Sequence, residues 1–184
     1  MLFLLLGISQ GAAQSERKWL GIETDPISTA FGALTLSVVV EPKAAKHWSL
    51  FMNIVSADFP NWMDDFLNPN NKGKGFDSKI NIGGGLAFDY FLKEEKEGFY
   101  FGLINLFFQN EVRQNDTTET VITHNIIPRL GYRWYPLKKI NIYLNPFVGL
   151  RYEHTPGSTK SVDGTVFEPA GIQPFGTLHI GFHF

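Results

Sequence analysis

The last eleven residues, Pro174 to Phe184, alternate without a break. Leu178, Ile180, Phe182 and Phe184 fall on one face of a strand, and Thr177, His179, Gly181 and His183 on the other. A strand with one wholly apolar face, ending on an aromatic ring, cannot leave that face in water. It is what a membrane-spanning β-barrel needs for its closing strand, where lipid touches one side and the lumen the other.

The rest of the chain carries the same signal. Strand patterns are read at about 18 to 24, 31 to 42, 47 to 57, 79 to 93, 98 to 113, 119 to 135, 139 to 154 and 173 to 184. In the fourth, Ile80, Ile82, Gly84, Leu86, Phe88 and Tyr90 alternate with Lys79, Asn81, Gly83, Gly85, Ala87 and Asp89. The seventh opposes Ile140, Ile142, Leu144, Val148, Leu150 and Tyr152 to Asn141, Tyr143, Asn145, Phe147, Gly149, Arg151 and Glu153. The expectation is that even-numbered residues form the apolar face throughout and that this face carries no charge. The predicted fold is all-β, an eight-stranded antiparallel up-and-down transmembrane barrel. About ten residues at roughly 3.3 Å each, tilted by about 40°, rise about 25 Å, the height of a lipid-facing band.

Connections alternate in length, which gives a second and independent sign. Those near 43 to 46, 94 to 97 and 136 to 138 are short, and those at 58 to 78 and 155 to 172 are long. Outer-membrane barrels have short periplasmic turns and long outer loops, which puts both termini on the periplasmic side. Trp48, Tyr90, Tyr100, Trp134 and Phe184 are expected to form a periplasmic aromatic girdle at the headgroup level, with Tyr152 at the opposite interface.

Composition narrows the class further. The 184 residues include no cysteine, carry a net charge of −2 and are 15% aromatic. There is thus no disulfide framework, and no basic field for nucleic acid. Residues 1–13 read as a secretory signal peptide, with Leu2 to Ile8 as its apolar core and Gly11, Ala12 and Ala13 at the cleavage site, leaving residues 14–184 as a single barrel domain.

With these patterns in hand, the chain resembles the small eight-stranded bacterial outer-membrane barrels of the OmpA, OmpX and OmpW kind. The resemblance is one of pattern. Its one motif-like element is the terminal Leu178, Ile180, Phe182, Phe184 series, which looks like the C-terminal signal read by the outer-membrane barrel assembly machinery. It implies a monomer in the bacterial outer membrane, in contact with membrane lipids and lipopolysaccharide. A soluble lipocalin-like carrier, apolar inside and polar outside, is the rival fold.

Candidate functional residues lie on the predicted lumen side. Asp89, Glu111, Arg129, Arg133, Arg151 and Glu153 are expected to form a lumen charge network, joined by Glu23, Glu41, His179 and His183 and by Asn53, Asn105, Gln109, Asn125, Asn141 and Asn145. Eight strands enclose a space that side chains fill, so buried charges there must pair. A structural or surface-interaction role is therefore expected, with a narrow channel for small solutes as the alternative. Barrel enzymes that modify lipid A use His with Ser and an acid at the outer rim. His124 and His154 lie near that rim, but the sequence sets no serine against either, so no catalytic residue, cofactor or metal site is assigned.

Three further features enter the reading. Asn61 is placed to cap a short helix presenting Trp62, Met63, Phe66 and Leu67. Asp64, Asp65 and Asp77 lack the spacing of a calcium loop. Pro128 and Pro146 interrupt strands six and seven, which suggests a bulge shared between them.

Overall fold

The computed structural model describes residues 19–157 and 160–184. The predicted signal peptide lies outside them. Eight antiparallel strands close into a barrel: β1 (Leu20–Thr24), β2 (Ala33–Val40), β3 (Trp48–Asp58), β4 (Asp77–Phe91), β5 (Gly98–Gln114), β6 (Thr117–Leu137), β7 (Ile142–His154) and β10 (Gly171–His183). Each pairs with its sequence neighbour, and β1 closes on β10 through Gly21↔His183 to Thr24↔Ile180. A small hairpin of β8 (Ser161–Val162) and β9 (Thr165–Val166) sits in the last connection.

The wall is apolar outside and polar or tightly packed inside. Leu34, Leu36, Met52, Ile54, Leu86, Phe88, Val148, Leu150, Ile180 and Phe182 are exposed, while Glu23, Glu41, Asp89, Arg129, Arg133 and His183 are buried. A water-soluble barrel inverts this arrangement, so the lipocalin-like alternative is excluded on geometry. A cylinder of this kind spans a membrane with its strands. Among the described residues no helix is long and apolar enough to cross one.

Strand β5 departs from the even-numbered rule. Its outward residues are odd, with Phe99, Phe101, Leu103 and Phe107 exposed, and its inward residues are even, with Tyr100, Ile104 and Leu106 buried. Both parities of this strand are rich in large apolar residues, so alternation alone could not assign its faces. Tyr100 is therefore no girdle residue; it is fully buried in the lumen. Conversely Asn105, Gln109 and Glu111 are on the outside, and Glu111 leaves the predicted lumen network.

A second departure lies at the top of β4. Its pairing with β3 shifts between Val55 and Ala57, and its pairing with β5 shifts between Ile80 and Ile82. The extra residue, Asn81, reverses the parity above it. Ile80 now pairs with inward Asn110, while Lys79 pairs with Glu111 and Asp77 with Arg113. The outer face above the apolar band thus carries two ion pairs, Lys79 to Glu111 at 2.9 Å and Arg113 to Asp77.

Connections on one side are all short; on the other, 59–76 and 155–170 are long, as expected, while 25–32 and 115–116 are short. β5 and β6 run on to a two-residue turn at Asn115 and Asp116, with Asn115 in the left-handed region (φ 52°) that tight hairpins use. The hairpin rises above the other strands. Its inward Val112 and Val121 pack with Val162 and Phe167, and Phe76 joins them, so the last connection folds over this end of the barrel.

Two short helices line the same end. α1 (Pro26–Ala30) begins with proline after Asp25, whose carboxylate accepts from Ser28 N at 2.9 Å and Ser28 Oγ at 2.6 Å. The predicted short helix is present as α2 (Asn61–Leu67), with Trp62 and Phe66 exposed and the Trp62 ring edge-on to Phe31.

The prolines do not share a bulge. β6 and β7 keep one register from His124↔His154 past Pro128 to Gly131↔Phe147, on to Trp134↔Leu144, and shift only between Trp134 and Leu137. Both prolines point outward and are exposed.

Candidate functional site: the filled lumen

Glycines make the interior possible. Gly131 is the registered partner of Tyr100, and Gly181 of Tyr143; each tyrosine ring occupies the space a Cβ on its glycine would need. Gly83 does the same for Phe108, and Gly21 for His183. Large side chains therefore lie flat across a neighbouring strand and fill the cross-section.

The middle of the barrel holds one ion pair. Arg129 donates from Nε to Asp89 Oδ1 at 3.0 Å and from Nη2 to Oδ2 at 2.9 Å, a bidentate fork. Three rings surround the guanidinium: Phe147 at 4.5 Å, Phe51 at 5.3 Å and Tyr100 at 5.4 Å from its central carbon. Cation–π contact and a paired carboxylate together replace the water this cation has lost.

A second cluster lies one layer toward the short turns. Arg133 is hydrogen-bonded to Glu41, which also accepts from Ser49 Oγ at 2.9 Å, and Arg133 Nη2 lies 3.8 Å from Glu23 Oε1. The rings of Phe91 and Tyr143 sit 4.5 and 4.7 Å from its central carbon. Glu23 in turn binds His179 Nδ1 at 2.9 Å and accepts from Asn145 Nδ2 at 3.1 Å. Asp25 accepts from Thr177 Oγ1 at 2.8 Å. These acids near the start of the barrel thereby reach its last strand.

The remaining charges belong to the loop end. Arg151 donates to Leu67 O at 2.7 Å and bonds Gln173, and Glu153 accepts from Ala170 N at 3.1 Å. Of the predicted network, Asp89 and Arg129 come together, Arg133 joins Glu41 and Glu23 instead, Arg151 and Glu153 brace the connections, and Glu111 pairs outside with Lys79. Asp25, which falls between the first two strand patterns of the sequence, is a lumen residue. Its Asp-Pro start followed by serine two residues later is a helix-capping signal that could have marked it.

Girdle residues other than Tyr100 are on the outer surface. Trp48, Tyr90, Trp134 and Phe184 are exposed, Trp48 is edge-on to Tyr90 at 5.2 Å, and Phe182 neighbours Phe184 at 6.1 Å. Ile180 and Phe182 share this wall with the partly covered Leu178.

One constellation went unread in the sequence. His124 and His154 are registered partners on β6 and β7, and Asn105 of β5 stands beside them because that strand faces outward on odd numbers. Among the described residues no group of three or more His, Cys, Asp or Glu side chains could hold a metal ion.

The fold and its interior define a class: a small closed barrel with a lipid-facing wall and a lumen packed by its own charged and aromatic side chains. No protein-family model and no curated protein matches the chain. Among solved structures it is similar to a major outer membrane protein from Thermus thermophilus, with 15% identity over 90% of this chain and 97% of that one, at a TM-score of 0.45.

Proposed function

We propose that this protein is an integral outer-membrane barrel with a structural or surface-interaction role rather than an open pore or an enzyme. Its termini would face the periplasm, with connections 59–76 and 155–170 outside. The observation that carries the reading is the Arg129 guanidinium, held by Asp89 and enclosed by Phe147, Phe51 and Tyr100 at mid-height. Opening a path there would strand a buried charge, at a cost of several kcal/mol. The wall would contact membrane lipids and lipopolysaccharide, and the outward Leu178, Ile180, Phe182 and Phe184 would be the surface offered to the barrel assembly machinery.

Conductance tests this reading. Protein purified in detergent and inserted into planar bilayers is expected to stay electrically silent. Discrete current steps whose ion selectivity changes in Arg129→Ala would establish a channel instead. Fractionation with outer membranes and heat-modifiable gel migration are expected as well; a protein remaining in solution without detergent would overturn the membrane assignment.

A further inference from the structure

We propose that His124 and His154 form a binding site for a divalent transition cation of the zinc type, on the outer wall at the loop end of the barrel. His124 Nδ1 and His154 Nε2 face each other at 3.4 Å. That spacing is long for a hydrogen bond between ring nitrogens, where about 2.9 to 3.0 Å is usual. It equals the separation of two nitrogens held about 2.0 to 2.1 Å from one tetrahedral zinc, about 3.3 to 3.4 Å.

The surroundings set the protonation this requires. His124 Nε2 lies 2.9 Å from Asn105 Oδ1, an oxygen that only accepts, so the proton of His124 sits on Nε2 and the lone pair of Nδ1 points at His154. A metal-bound imidazole commonly donates its other N–H to a carbonyl in this way. Ring contacts fix the directions. Phe107 stacks on His124 at 4.2 Å with an interplanar angle of 5°, and Tyr152 stacks on His154 at 5.4 Å.

Two imidazoles leave two positions of a tetrahedral ion open. On β6, His124 stands ten residues from Trp134, about 25 Å up the wall at roughly 3.3 Å per residue and about 40° of tilt. That is the opposite headgroup level, where water or a phosphate oxygen can complete the ion. Ligation through His154 Nε2 places the proton of that ring on Nδ1, which is buried and has no hydrogen-bond partner here, so the orienting carbonyl is supplied on the His124 side alone.

The test is Zn2+ titration by calorimetry of the full chain in detergent, purified without a histidine tag, with Co2+ absorption as a reporter of tetrahedral nitrogen ligation. One ion per chain is expected. Binding should vanish in His124→Ala and in His154→Ala, weaken about tenfold to a hundredfold in Asn105→Ala, and persist in the control His47→Ala. All three histidine variants should keep heat-modifiable migration, because none lies in the packed lumen. Equal binding in the His124→Ala/His154→Ala double variant, loss in only one single variant, or no binding to the parent protein would each overturn the proposal. Phosphate-bearing vesicles added to the zinc-loaded protein separate the sources of the open ligands: tighter zinc binding marks a headgroup phosphate, and unchanged binding marks water.

Discussion

Asp89 and Arg129 stand two strands apart and meet over Gly102, which is the registered partner of both. Any Cβ on Gly102 would collide with the Asp89 carboxylate and the Arg129 side chain. The absence of a side chain on β5 is what lets β4 and β6 exchange charge through the lumen.

Breaking this pair on one side should therefore harm the barrel more than removing it. Arg129→Leu leaves Asp89 buried and unpaired, for which about 3 to 5 kcal/mol is expected, whereas Asp89→Leu with Arg129→Leu should recover much of the loss. Gly102→Ala should resemble the single variant. Urea unfolding in detergent, followed by tryptophan fluorescence, measures all three; equal destabilisation of the single and double variants would contradict the assigned pairing.

The inverted parity of β5 gives neighbouring residues opposite environments. Spin labels at Phe101 should report lipid, as should labels at Leu86, Ile142 and Ile180, while a label at Tyr100 should be inaccessible to lipid-soluble relaxation agents or prevent folding. Oxygen and nickel-chelate accessibilities read the difference directly. A lipid-like signal at Tyr100 with a buried signal at Phe101 would restore the even-numbered rule.

At the turns, Lys46 Nζ donates to Glu94 at 2.9 Å across two connections, with both side chains exposed. The hydrogen bond from Lys46 lowers the Glu94 pKa, and that to Glu94 raises the Lys46 pKa. Stabilisation from the depressed acid is lost as pH falls through its folded value, and that from the raised lysine is lost as pH rises through its own. The pair therefore acts between the ordinary carboxylate and lysine ranges, and weakly, because water and salt screen it. Lys46→Ala should return the Glu94 titration, followed by carboxyl NMR, to the usual range while hardly altering the unfolding midpoint.

Much of the architecture was legible because most strands have only one apolar parity. In β7 and β10 the lumen residues Asn145, Arg151, His179 and His183 left no ambiguity about which face meets lipid. In β5 the pairs Phe99 with Tyr100 and Phe107 with Phe108 offered equal candidates on both faces, and the decisive sign was Gly102, a small residue beneath a crossing ion pair. The bulge at Asn81 was hidden for a different reason: inserting one residue changes no composition, only parity. Lumen partners were illegible because Arg133 reaches Glu41 and Glu23 across the interior, where sequence spacing carries no information. The histidine pair needed both the β6 to β7 register and the true face of β5 before it could be seen.

The join between β1 and β10 rests on four backbone pairs, and Glu23 meets His179 across 156 residues of sequence. Contacts so distant along the chain form late, since a very long loop must be closed first. Folding should hence reach a nearly finished, still open sheet whose rims are β1 and β10. The carboxylates of Glu23 and Asp25 then act as the latch that turns an aggregation-prone curved ribbon into an edgeless ring.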